Sequence, residues 1–441
     1  MRIRRLCITL FSIFLVSCAL AAPVCAEEGW QLRLIDDTGF GDPYNTGITR
    51  MSAYGNYLYL GTWNSAEGCE VYRSADGESW ELINTAGFGN ANNFCVLYIE
   101  WFNGSLYVTT WNQANGFSMY RANADAANRA DISWQAITTN GFGDTRNYGG
   151  TSARVFNGYL YVGCFNPTSG PEVWRSATGG PGMWTQVNQD SWGFPSGTDA
   201  TMMLMHDGYL YVGTEAARWP YAGCQLWRTD GNLFPPYNQW QKVNANGFGD
   251  RANHNICGLA VFNGKMYAGT WNVSQGLEVW RATPTETVPF SDWEQVAPNG
   301  FGDPTMALTC DIDVLSDTLF VGAGRSYGPD GGVLMKTTDG TTWEQVYVPG
   351  FVNPPSAGIC WLETFQGKLF IGGWSGVGTP PLQLWVYEPV GGEPVPAMGL
   401  VASIGCAVGC LAISIRALLN RITVGSPFAR VPLVYLRVMP A

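Results

Sequence analysis

The sequence predicts an all-β chain: a seven-bladed β-propeller whose N-terminal strand closes the last blade, followed by a C-terminal transmembrane helix. Three observations carry this reading. Trp recurs at positions 30, 80, 134, 184, 240, 293 and 343, spaced by 50 to 56 residues. Each of these opens a short strand such as Trp293-Glu294-Gln295-Val296. Between them lies a hairpin unit, as in Ile256 to Phe262, Asn263-Gly264, Lys265 to Trp271, and then Glu278 to Arg281. Asn-Gly between alternating apolar residues is the strongest short hairpin signal. Four antiparallel strands in a period of about fifty residues is the pattern of a propeller blade.

The Tyr-Leu-Tyr type strands at 57, 105, 159, 209, 265, 318 and 368 count seven inner hairpins. Trp30 to Ile35 has no hairpin before it, and the repeat over 358–388 has no Trp strand after Leu384-Trp385-Val386-Tyr387. The two halves complete one blade, which ties the ends together and removes open sheet edges. The 55 glycines fit the positive-φ turns between short strands. The aromatic residues fit the wedge-shaped spaces between stacked sheets.

The ends of the chain differ from its body. Arg2, Arg4 and Arg5 precede an apolar run from Leu6 to Val16, and Val24-Cys25-Ala26 before Glu27 suits signal peptidase. Leu15-Val16-Ser17-Cys18 also resembles a bacterial lipobox, which would lipidate Cys18. Ala397 to Ile415 runs without a charge, nearly long enough as a helix to cross a bilayer, and Arg416 and Arg421 follow it. The expected organisation is a signal peptide over 1–26, a propeller over 27–390, a linker over 391–396, a transmembrane helix over 397–415 and a short cytoplasmic tail over 416–441. This places the propeller at the cell surface on a single-pass anchor, with a lipid-anchored or secreted form as the alternative.

The turns between the third and fourth strands include Ser74-Ala75-Asp76-Gly77-Glu78-Ser79-Trp80 and Thr337-Thr338-Asp339-Gly340-Thr341-Thr342-Trp343. These resemble the Asp-box turns of sialidase-like, BNR-like and kelch-like propellers, with one residue fewer between Asp and Gly. The resemblance implies that the Asp carboxylate accepts backbone N–H groups while the Trp packs beneath the turn. It implies architecture and not activity. A sialidase would need an arginine cluster and a Tyr–Glu nucleophile pair. Arg73, Arg121, Arg175, Arg228 and Arg281 instead recur with the repeat, as blade-packing residues do.

The opposite face collects the Gly39-Phe40-Gly41-Asp42 type loops and the Trp-Asn strand ends. Trp63, Asn64, Trp111, Asn112, Trp271, Asn272 and Trp374 are ligand-binding candidates there, because stacked aromatics flanked by amides suit sugar rings. Trp219 and Arg325, which break the Trp-Asn pattern, join them. Chemistry needs asymmetry, so non-repeated polar residues are the catalytic candidates: Asp311, Asp313, Glu363, Glu215 and His254. A carboxyl pair for glycoside hydrolysis or lyase chemistry could be drawn from these.

No cofactor is expected. Two histidines cannot build a His-rich zinc site, and calcium would fall to Asp311 and Asp313 or to the Asp42-type loops. With 24 basic against 35 acidic residues, a nucleic-acid surface is excluded. Seven propeller cysteines in an oxidising compartment allow a disulfide or two. The expected function is a monomeric surface propeller that binds glycan or protein through the Trp-Asn face. The alternatives are a polysaccharide hydrolase or lyase and a structural envelope component.

Overall fold

Each period folds into the strands that its alternation dictates. In the fifth repeat Asn255–Phe262 pairs with Lys265–Trp271, which pairs with Val279–Ala282, which pairs with Glu294–Gln295, all antiparallel. Asn263 and Gly264 turn the first hairpin with φ of +49° and +71°. Two successive left-handed residues match the twist of the strands they join, and Asn and Gly adopt that conformation at least cost.

The computed structural model describes residues 29–218, 222–325, 331–346, 356–375 and 381–390. Among them this four-stranded unit occurs seven times. The inner strands, numbered here as blades 1 to 7, are Gly47–Tyr54, Cys95–Phe102, Gly149–Phe156, Asp199–His206, Asn255–Phe262, Met306–Leu315 and Ser356–Phe365. The outer strand of blade 7 comes from the other end of the chain. Trp30–Asp36 pairs antiparallel with Leu384–Pro389, and the Trp30 and Tyr387 rings stack at 5.0 Å. Gly47 of blade 1 pairs with Trp374 of blade 7, as Cys95 of blade 2 pairs with Trp63 of blade 1. The seven antiparallel sheets therefore stand in a closed ring, the arrangement of a β-propeller.

Apolar side chains fill each junction between neighbouring blades. Blades 7 and 1 meet through Phe370 and Leu384 against Ile48 and Leu60, and blades 1 and 2 through Tyr59 and Val71 against Ile99 and Val108. Each such side chain, fully buried, contributes about 1.5–3 kcal/mol. The recurring Trp adds a polar latch. Its indole N–H donates to a carbonyl of the preceding blade: Trp134 to Ile83, Trp240 to Val187, Trp293 to Val243 and Trp343 to Val296, at 2.7–3.0 Å.

The Gly-Phe-Gly loops complete the junction. Phe88, at φ +54°, stacks on Tyr120 at 4.1 Å and meets Trp134 edge-on at 5.0 Å. Trp192 replaces Phe in the degenerate copy and stacks on Trp227. The glycines permit close approach: a Cβ on Gly68, at φ +101°, would lie 2.6 Å from the Cα of Gly87. The third-strand arginines are staples. Arg73 donates to the Ala124 and Ala126 carbonyls of the next blade, and Arg228 to those of Thr285 and Glu286.

The expectation of a C-terminal transmembrane helix is corrected, and with it membrane attachment and a single-pass cell-surface location. No helix among the described residues is long and apolar enough to cross a membrane. Helical structure there is confined to 3-10 turns of three or four residues, because the apolar side chains alternate along strands and are consumed at the blade junctions. Residues 1–26 with Cys18, the 391–396 linker, and the segments 397–415 and 416–441 lie outside the described residues. The disulfides that the sequence allowed are not formed among the described residues, whose seven cysteines are free thiols.

The arginine staples are testable. Arg228 is 1% exposed and serves two carbonyls of the next blade as well as Gln241. Among the described residues Arg121 serves only Gln135 and the Tyr107 hydroxyl. By chemical denaturation, Arg228→Met is expected to lose about 3 kcal/mol of unfolding free energy and Arg121→Met less than ~1 kcal/mol.

Candidate functional site

The innermost strand of each blade is an edge strand, with free backbone groups turned to the central channel. Its pairing is broken by a register shift, between Ile48 and Arg50, Val96 and Tyr98, Thr309 and Asp311, and Ile359 and Trp361. Such a bulge bends the strand and re-aims the side chain that follows it. Arg50, Tyr98, Asp311 and Trp361 each follow a bulge at one level of the ring. Glu100, Arg154, Asp313 and Glu363 form the next level, two residues nearer the hairpin turns. Arg50, Arg154, Asp311, Asp313, Trp361 and Glu363 line a channel cavity of about 360 Å³. The cavity lies in the half of the channel toward the hairpin turns, away from the Gly-Phe-Gly loops.

The carboxyl groups take up the free edge of the next blade. Asp311 Oδ2 accepts the Leu362 N–H at 3.1 Å, and Glu363 Oε1 accepts the Ala53 N–H at 2.8 Å. Asp313 accepts the Val314 N–H at 2.8 Å and the Thr364 hydroxyl at 2.9 Å. Glu363, held on Ala53 through one oxygen, also lines the cavity.

Burial raises the pKa of all of these acids. Glu363 is pushed up to about 8, with the neighbouring Asp313 charge adding to the effect of burial. Asp313 is pushed up to about 6 by burial, against the hydrogen bonds from Val314 and Thr364. Burial holds Asp311 well above the usual carboxylate range despite the pull of Arg50. Glu100 is also raised by burial, with Arg154 at 3.7 Å opposing the rise. The acids of the cavity thus hold their protons to higher pH than exposed carboxyls do, Glu363 more strongly than Asp313. Such a pair can donate and accept a proton across one bound group.

Arg50 sits among them, 6% exposed. Its guanidinium lies 3.4 Å from the Tyr98 ring centroid and 3.6 Å from that of Trp361, between blades 2 and 7. Burial lowers its pKa. Sequence reasoning brought Asp311, Asp313 and Glu363 forward but missed Arg50 and Arg154. The signal was available: counted back from the hairpin turn, they are the two inner-strand arginines, and neither recurs in the other repeats.

The remaining candidates lie elsewhere. Glu215 and His254 sit at the other end of the inner strands, roughly 15–20 Å along a strand from the Asp313 level. Glu215 pairs across the strands with Asp199 and Asn255 and accepts the Thr198 hydroxyl at 2.9 Å. His254 is buried against Trp271, and that burial lowers its pKa. Neither reaches the cavity.

Asn64, Asn112 and Asn272 are fully buried, so they present nothing to a ligand. Asn64 donates to Asp42 and Asn45 and accepts the Ala66 and Glu67 N–H groups, and Asn272 repeats this with Asp250, Asn253, Ser274 and Gln275. The chain of bonds ends on the buried Glu70 and Glu278, so the Asp42-type carboxylates are committed to their loops rather than free for calcium. Among the described residues no three His, Cys, Asp or Glu side chains are grouped to hold a metal ion. Trp63, Trp111 and Trp374 are half-buried and pack on one another's neighbours, Trp63 against Phe94 at 5.2 Å and Trp111 against Phe165 at 4.9 Å. Arg325 is ion-paired with Asp303 at 2.7 Å. Trp219 lies outside the described residues.

No protein-family model and no curated protein matches the sequence. Among solved structures, a luciferin-regenerating enzyme is similar over 82% of this chain and 96% of its own, at 12% identity and a TM-score of 0.43. An ancestral GH74 enzyme is similar over 81% of this chain and 48% of its own, at 14% identity and 0.49. Phage phi92 endosialidase is similar over 82% and 69%, at 13% and 0.46. Likenesses this distant carry no inference about activity. They are compatible with an all-β, repeat-containing fold and name no family.

The raised acids set a pH dependence of stability. Glu363 keeps its proton in the folded chain up to about pH 8 but only to about 4.5 when unfolded. The folded state therefore loses relative stability as pH rises through that window. Glu363→Gln, neutral throughout, is expected to flatten part of the fall in melting temperature between about pH 5 and about pH 9, read by circular dichroism.

Proposed function

We propose that this chain is a glycan-cleaving propeller enzyme, a hydrolase or lyase, with Glu363 as proton donor and Asp313 as its ionised partner. One observation carries the reading. Two carboxyl groups from neighbouring inner strands face one cavity, with their pKa values separated around neutrality. In hydrolysis Glu363 would protonate the departing glycosidic oxygen while Asp313 assists water or the ring carbon. In elimination Asp313 would take the proton from carbon and Glu363 would supply the one to the leaving oxygen.

Aromatic residues in and beside the cavity point to the ligand class. Trp361 bounds the cavity, and Tyr54 and Trp101 stack at 4.2 Å beside Ala53, whose N–H holds Glu363. Tyr54 is 44% exposed. Aromatic faces beside carboxyl groups suit a sugar, which offers C–H faces and hydroxyls together.

We further infer an affinity with Asp-box propellers. The Asp76 carboxylate accepts the Glu78 and Ser79 N–H groups at 2.8 Å, and Asp339 those of Thr341 and Thr342 at 2.7 Å. The latter bonds hold the Asp339 carboxyl well below the usual range.

The full-length protein, assayed for new reducing ends and unsaturated products on a panel of polysaccharides, tests the activity. Glu363→Gln and Asp313→Asn are each expected to lower kcat by about 100-fold or more. The kcat/KM profile should be bell-shaped, with limbs near pH 6 and pH 8. Ligand capture without turnover would leave a binding propeller instead, and cleavage undiminished in both variants would remove the assigned roles.

A further inference from the structure

The carboxyl pair leaves Arg50 without a part in the chemistry, yet Arg50 is the most constrained group of the cavity. It follows the bulge of blade 1 at Thr49, whose hydroxyl is tied to the Val96 carbonyl of blade 2. Its guanidinium is held flat between the Tyr98 and Trp361 rings at 3.4 and 3.6 Å. Both faces are therefore covered, and only the N–H edge is open. A guanidinium offers five donors in that plane. Arg50 Nε is buried with no hydrogen-bond partner among the described residues. Among the described residues no ion pair joins it to a neighbour, whereas Arg154, whose Nε is also unpartnered, bonds to the Tyr98 hydroxyl and pairs with Glu100.

A side chain only 6% exposed, stacked on both faces, lining a cavity and unpaired at Nε, is built for an in-plane partner that the described residues do not supply. Water-exposed arginines satisfy their donors with solvent, and buried ones are matched by carboxylates or carbonyls, as Arg228 is. The partner that fits a planar fork of donors is a planar pair of acceptors, which is a carboxylate. Stacking between Tyr98 and Trp361 fixes the plane before the ligand arrives, so little rotamer freedom is lost on binding.

We propose that Arg50 is the receptor for a carboxylate carried by the ligand, so that the chain acts on acidic glycans bearing uronate residues. The proposal rests on the glycan reading of the same cavity. It adds the substrate class and a specificity-determining residue. Arg50 lies one ring level from Asp313 and Glu363, two residues along the inner strands. A uronate held at Arg50 would put its sugar ring, and the bond to the next sugar, toward those two carboxyl groups.

Isothermal titration of the full-length protein with uronate oligosaccharides and their methyl esters tests this. The comparison uses the wild-type chain, so that it does not depend on a variant folding. The free acids are expected to bind at least about tenfold more tightly than the esters, which keep the ring and lose the charge. Arg50→Lys keeps the charge and loses the planar fork, and is expected to forfeit that preference while binding the esters as before. Glu363→Gln should retain it. Equal affinity for acid and ester, a preference for the ester, or an intact preference in Arg50→Lys would overturn the proposal. Failure of both ligand forms to bind would overturn it as well. Tight, Arg50-dependent binding of uronates without any cleavage would leave the proposal standing and remove only the enzymatic reading.

Discussion

The inner edge of each blade is the constraint on which the rest of the structure depends. A four-stranded sheet has two edges, and an edge strand carries a row of unpaired N–H and C=O groups. Arranging seven sheets in a ring turns the inner edges toward one channel, where they must be satisfied at close quarters. The bulges at Thr49, Thr151 and Thr201 do part of this, since the three hydroxyls bond to carbonyls of the next blade. In blades 6 and 7 the same task falls to Asp311, Asp313 and Glu363. The residues that close the edge on that side are the residues that could perform chemistry. A structural requirement and the proposed reactive groups therefore occupy the same atoms.

The two faces of the ring differ in how their polar groups are spent. On the Gly-Phe-Gly side, the amides of Asn64 and Asn272 and the carboxylates of Asp42 and Asp250 bond to one another and to loop N–H groups. In the channel, Arg50 Nε is left without a partner among the described residues. Under the proposed function, that unspent donor beside buried acids is what a ligand in the channel would engage.

Much of the fold was legible in the chain. The Trp period, the Asn-Gly hairpins and the lone strand at Trp30 are local signals, and antiparallel pairing between neighbours in sequence follows from them. The arginine repeats at Arg73 and Arg228 correctly pointed to packing. The candidate site was legible only in part. Asp311, Asp313 and Glu363 stood out because they interrupt a repeat, and they do meet. Trp-Asn looked like a binding surface because its residue types suit sugars, but burial decides whether an amide faces a ligand, and Asn64 has none of its surface exposed.

By itself the sequence determined the strands, their order within a blade and the number of repeats, because these depend on side-chain alternation and turn chemistry within about fifty residues. Which inner-strand side chains share a level of the channel was decided only by the tertiary structure. A one-residue bulge shifts the facing of everything after it, so simple alternation along Ile48, Thr49 and Arg50 cannot say that Arg50 lies between Tyr98 and Trp361. Those three residues are separated by up to 311 positions in the chain. Closing the ring brings blade 7 against blade 1, and with that one long-range contact Trp361, Arg50 and Tyr98 become neighbours and the carboxyl pair acquires its surroundings.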